Sequence, residues 1–411
     1  MKLNYSLIAL LLLCFFACKK ETITPIPKDA TTINTKDYQG TANILEGNYE
    51  VKGCLTITAN AQLTIKKGSK LIFSANTGIL VEEKGILTIE GELGKEVILT
   101  GREAIEGYWD GISMEGSVSN NNKITYCTIE YAGSSNGCST FAANRAALVL
   151  GNTQATGLMS LDHLTINKCK SDGIYIAKGF DVTMKNCNIN SSKGFPAKID
   201  FNNADVLSDN DSNNTFSGAG AQNYINIEGD EFENGTTSDM TITKQNIPYY
   251  VTSTFSVNSK ITVNAGVTFV MGQAALFDLD NISSNFKGNL ICNGTAAEPI
   301  ILKGLESIAN YWNGIDLSGS KLTLSNVKIS DCGSSSDGLY GGELACITLS
   351  RYYENVSKAS IKNCSFSNYG ANNAIQICTA KVPGGNNVIL EFNSDIETSN
   401  TFSGAKKVLK Y

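Results

Sequence analysis

Along most of its length the chain alternates apolar and polar residues over runs of only three to six positions. Leu55-Thr56-Ile57, Leu63-Thr64-Ile65, Lys70–Phe73, Leu87-Thr88-Ile89, Ile174-Tyr175-Ile176, Val182-Thr183-Met184 and Ile375-Gln376-Ile377 show it most plainly. A period of two sends one side chain inward and the next outward, so each run reads as a short half-buried strand. Turn clusters separate the runs, at Asn120-Asn121-Asn122, Asn202-Asn203, Asn372-Asn373 and Gly384-Gly385-Asn386-Asn387. Nothing with a helical period follows the first seventeen residues, and the chain has only six prolines. The pattern predicts an all-β fold.

The order of these strands is repeated. GYWDGISMEG around Trp109 returns as NYWNGIDLSG around Trp312, and NTFSGA at Asn214–Ala219 returns at Asn400–Ala405. LTIKKGSKLIF (Leu63–Phe73) aligns with ITVNAGVTFVM (Ile261–Met271), and VILTG (Val97–Gly101) with IILKG (Ile300–Gly304). A fixed series of short strands joined by turns of variable length indicates stacked repeats rather than a sandwich or barrel. CNI at Cys187–Ile189 follows LTI at Leu164–Ile166 by 23 residues, a length suited to one turn of a three-sided coil. Two copies emerge, residues 47–218 and 249–411, with 219–248 as the seam. About eight turns in each would give a rod of roughly 70–80 Å.

LTIKKGSKLIF, GILTIEG, EVILTG, GYWDGISMEG and KITYCTIEYAG, in that order, resemble the right-handed parallel β-helix of bacterial cell-surface proteins, a fold of the pectate-lyase-like superfamily. The resemblance spans roughly residues 47–405, twice over. The second copy departs from it with Asn264-Ala265 before its turn glycine, Met271 in place of Phe73, and Asn310 in place of Gly107.

The N-terminus reads as an export signal. Lys2 precedes an apolar run, Leu7–Ala17, that is too short to span a bilayer, and Phe15-Phe16-Ala17-Cys18 resembles a lipoprotein cleavage site of the Bacteroidota type. Residues 1–17 are thus expected to be removed and Cys18 to be acylated, which anchors the chain in the outer membrane. Residues 18–46, with two prolines and many Thr, Lys and Asp, read as a tether that clears the headgroups.

Net charge is −6. That balance excludes a nucleic-acid partner, which needs a basic face, and leaves neutral sugars unopposed. The cysteines show no CxxC spacing, so they suggest disulfides or small buried residues rather than a zinc site. Cys332, Cys346, Cys364 and Cys378 are spaced 14, 18 and 14 apart, as two bridges or two similar rungs would be; Cys127, Cys187 and Cys364 sit at inward positions of strands.

Candidate chemistry is sparse. Trp109 and Trp312, with Tyr108, Tyr311, Asp110 and Asn313 beside them, suit a stack on sugar rings; the competing reading is that both indoles pack a corner of the coil. Asp209 and Asp211, in DNDSN, are the candidates for calcium, although the Gly and Glu of an EF-type loop are missing. The corresponding acids of the second copy are Asp395 and Glu397. His163, the only histidine, reads as an outward strand residue. The resemblance implies that a lyase would need a base beside acids, and Arg351, flanked by Tyr352 and Tyr353, is the residue that fits; those tyrosines are also ligand-binding candidates. The Asn-Thr-Asp, Gly-His-Gly and Arg-x-Lys strings of the related pectin hydrolases are missing.

The expectation is an envelope lipoprotein, monomeric and without a required cofactor, whose coil binds a glycan or another envelope component non-catalytically. The alternatives are a divergent polysaccharide lyase or glycoside hydrolase, and a structural spacer in a surface assembly. Fold alone does not choose among them.

Overall fold

The computed structural model describes residues 22–410 apart from 117, 135–137, 139–145, 152–155, 208–212, 230–234, 274, 281–287, 334–344, 351–355, 371 and 379–389. Every ladder between its strands is parallel, and successive strands of the chain fall on three faces in rotation. The architecture is a parallel β-helix.

Face three carries one unbroken ladder of fourteen strands, from Lys36–Tyr38 to Thr401–Phe402. Faces one and two of the first copy form a ladder of twelve, because Asn122–Glu130 and Gly157–Cys169 each run through the corner between them. In the second copy these faces are separate ladders of six. Face two runs from Met240–Ile242 to Leu390–Phe392, and face one from Thr254–Ser256 to Val408–Lys410.

The alternation read from sequence sets which side chains stack inside. On face three, register places Leu55, Ile79, Ile112, Leu148, Ile174, Ala197, Ile225, Tyr249, Phe269, Leu302, Ile329, Phe366 and Phe402 in a single column. Each large aliphatic member removed from water contributes about 1.5–3 kcal/mol. Tyr249 stays in the column because its hydroxyl donates to the Thr243 carbonyl at 2.9 Å.

Corners are sharp where one residue adopts the left-handed conformation. Tyr126, His163, Asn186 and Asn213 do so on successive turns between faces one and two, at φ of 43–55°. Asn326 and Asn363 occupy the places of Tyr126 and His163 in the second copy, at 52° and 56°. Asparagine tolerates this conformation better than most residues with a side chain. Asn310 replaces Gly107 for the same reason: both stand at positive φ, 60° and 76°.

Three sequence expectations change. The tether is not free to residue 46. Thr31–Ile33, Lys36–Tyr38 and Asn43–Leu45 already pair with the coil, since their inward residues Ile33, Tyr38 and Leu45 extend its columns. The seam contains two paired strands, Ile225–Glu228 and Met240–Ile242, and face three passes through it without interruption. Fourteen strands, rather than sixteen turns, give a rod of about 62 Å.

The copies are also turned relative to each other. Lys70–Phe73 lies on face two, whereas its counterpart Thr268–Met271 lies on face three. Thr215–Ser217 and its counterpart Thr401–Phe402 are displaced in the same way. Equivalent residues therefore sit one face apart.

Candidate functional site

The tryptophans offer no face to a sugar. Trp109 and Trp312 are both 0% exposed. Trp109 stacks on Phe73 at 4.1 Å and donates through Nε1 to the Glu130 carbonyl at 2.7 Å. Trp312 makes the equivalent bond to the Ser330 carbonyl, also at 2.7 Å. Asp110 is committed as well, accepting from the Ser134 hydroxyl and the Cys138 amide. The sugar-stacking reading of this motif is corrected: it pins corners of the coil.

Cys18, Arg351, Tyr352, Tyr353, Asp209 and Asp211 lie outside the described residues. The second-copy relatives of Asp209 and Asp211, Asp395 and Glu397, are paired with lysines, at 3.8 Å to Lys362 and 3.1 Å to Lys410. The Asn393 amide and the Lys362 ammonium hold the Asp395 carboxyl below the usual carboxylate range. His163 is not on a strand face but at a corner, stacked on Tyr126 at 4.1 Å, with Nδ1 2.7 Å from Asp162. Among the described residues no three His, Cys, Asp or Glu side chains form a metal-binding group.

Cysteine chemistry divides cleanly. Cys54 bridges to Cys138 and Cys332 to Cys346. Cys127, Cys169, Cys187, Cys292, Cys364 and Cys378 are buried free thiols. Burial pushes Cys169 up to about 12 and Cys187 and Cys364 up to about 11, so these three are not poised as nucleophiles.

Three surface features were not legible as sites in the sequence. The first is an open groove of about 490 Å³ on face one of the first copy, lined by Ser160, Asp162, Asp181, Thr183, Lys185 and Asp205. Burial, and then Asp181, raises the Asp205 carboxyl above its ordinary value.

The second is an open groove of about 530 Å³ on face two of the second copy. Its floor is the outward register of four strands. Asn289, Lys321 and Lys358 form one column and Ile291, Thr323 and Ser360 the next. Glu391, Phe392 and Asn393 close one end. Lys358 pairs with Glu391 at 2.7 Å and Lys321 stands between Asn289 and Lys358, so the floor combines hydroxyl, amide, ammonium and apolar groups.

The third is a column of acids on face one of the second copy. Asp278 and Asp316 take the outward register on adjacent strands, followed by Thr348 and by Gln376, which is buried. Arg351 follows the strand Ala345–Ser350 directly. These features escaped sequence reading because register across turns, not local motif, assembles them.

No family model, curated protein or solved structure matches the chain. The class of the protein rests on its own geometry: a duplicated parallel β-helix.

Proposed function

We propose that the protein is an acylated envelope lipoprotein whose coil holds an extended glycan without cleaving it. The observation that carries this reading is the face-two groove of the second copy. It is open along the coil, its volume of about 530 Å³ suits a ligand, and the hydroxyls of Thr323 and Ser360 and the amide of Asn289 stand beside Ile291 and the lysines of its floor. Sugars present both hydroxyl and apolar surface to such a floor. The test is titration of the full chain with a panel of neutral and acidic polysaccharides. Changing Thr323→Val together with Ser360→Ala should weaken the best ligand about tenfold, at about 0.5–1.5 kcal/mol per hydroxyl, without unfolding the coil. Binding equal to the unaltered chain would remove the groove from the account.

A second reading, a divergent lyase, draws on the Asp278–Asp316 column and on Arg351, which follows the strand Ala345–Ser350 in sequence. Its test is time-dependent release of oligosaccharides in the presence of calcium, lost on changing Asp316→Asn or Arg351→Ala. Intact polysaccharide in every reaction would sink it.

A further inference from the structure

The anchor is short and it leaves from the flank of the coil. Thr22–Thr24 do not trail from an end; they are bonded to residues 101–104, at the end of Val97–Gly101, the third strand up face two from Thr31–Ile33. Ile23 bridges antiparallel to Glu103, and the Thr24 amide donates to the Arg102 carbonyl at 2.8 Å. Arg102 Nη1 donates back to the Thr24 carbonyl at 2.7 Å, and the Thr24 hydroxyl donates to the Gly101 carbonyl at 2.9 Å. From there the chain descends three strand spacings, about 14 Å, to start the coil at Thr31.

Only residues 19–21 separate Cys18 from Thr22. Four steps of extended chain reach at most about 14 Å. An acylated Cys18 would therefore hold the corner between faces two and three against the bilayer.

That corner carries groups suited to an interface. Ile23 and Ile105 are 57% and 36% exposed at the point of attachment. Lys170 and Lys193 are exposed on later turns of the same corner, and Phe195 and Tyr224 stand just before the face-three strands Ala197–Asp200 and Ile225–Glu228. Their rings meet Tyr250 at 6.1 and 5.6 Å. Aromatic rings with a polar edge, and lysines with long apolar stems, are the residues that sit at headgroup level. From the strand Gly111–Met114 to Tyr249–Val251 this line covers five strand spacings, about 24 Å.

We infer that the rod lies along the lipid surface on its face-two/face-three corner, through Ile23, Ile105, Phe195 and Tyr224, with Tyr250 beside them on face three and face one turned away. This rests on the lipoprotein reading above. The occupant of the corner is a lipid surface because the pinned chain leaves the anchor no length to stand off.

The experiment uses the full acylated chain in vesicles of phosphatidylethanolamine and phosphatidylglycerol, with a fluorophore at Ile105→Cys or, on face one, at Thr183→Cys. Quenching by nitroxide-headgroup lipid should be at least fivefold stronger at 105 than at 183. Equal quenching at the two positions, with acylation confirmed by mass, would overturn the orientation and leave the lipoprotein reading standing. A Cys18→Ser chain that stays with membranes as the unaltered chain does would overturn both. Protection of position 105 in cells but not in vesicles would point to a protein partner and count against the lipid surface.

Discussion

At the scale of single residues, recurrence in the sequence marks Trp109 and Trp312 as important but not in which direction they point. Direction is set at corners, where alternation breaks, and both rings turn inward. Replacing Trp109 by Ala should cost about 3–5 kcal/mol in denaturant titration, as a large buried ring does. Fluorescence of the unaltered chain should be blue-shifted and untouched by iodide; quenching by iodide would contradict the burial. Alternation did identify Cys127, Cys187 and Cys364 as inward residues, and all three are buried. Pairing was not legible, since Cys138 meets Cys54 across 84 residues of sequence. By loop entropy that bridge is worth about 4.5 kcal/mol, against about 3 for the 14-residue loop between Cys332 and Cys346. The variant Cys54→Ser with Cys138→Ser should therefore melt lower than the variant that removes the other pair. Asp172 gives a pH signature. Burial raises its carboxyl pKa, although the Phe195 amide, donating at 2.8 Å, partly offsets it. The folded state thus holds its proton more tightly than the unfolded chain, and stability falls as pH rises from the unfolded value near 4 to the raised one. Asp172→Asn keeps an acceptor for Phe195, so it should stabilise the protein at neutral pH and give no gain in acid. A gain that persists in acid would refute the burial cause.

Elements were legible where their alternation was complete. Leu63–Phe73 and Ile261–Met271 appear as strands within one residue of their runs. The region before residue 47 was not, because Thr, Lys and Asp occupy outward positions and one inward residue in each short strand carries the signal. Composition there reads as linker, yet pairing to the next turn satisfies the backbone and overrides it. Corner residues give the test at this scale. Asn363 stands at φ 56° in the place His163 takes in the first copy. Asn363→Gly should be nearly neutral, whereas Asn363→Val should cost at least about 1–2 kcal/mol, because a branched side chain clashes in the left-handed region. Equal midpoints for the two variants would show that the corner relaxes.

For the whole molecule, the repeat announced a solenoid, and scattering from the purified body should show an elongated particle, with a coil of about 62 Å rather than 80 Å. The relation between the copies was hidden, because each strand's own sequence is silent about which face it occupies. Ile225–Glu228 accepts Tyr249–Val251 as its neighbour although the two are not successive members of the duplicated series. Backbone pairing is blind to side chains, and the interior asks only for an apolar residue of suitable size. A gene segment joined to such a coil need not arrive in phase with it. Three bearings are open to it at each splice, each a third of a revolution from the next, and all three satisfy the same ladder. Duplication can thus re-aim an inherited surface toward a new quarter of its surroundings before a single side chain has changed.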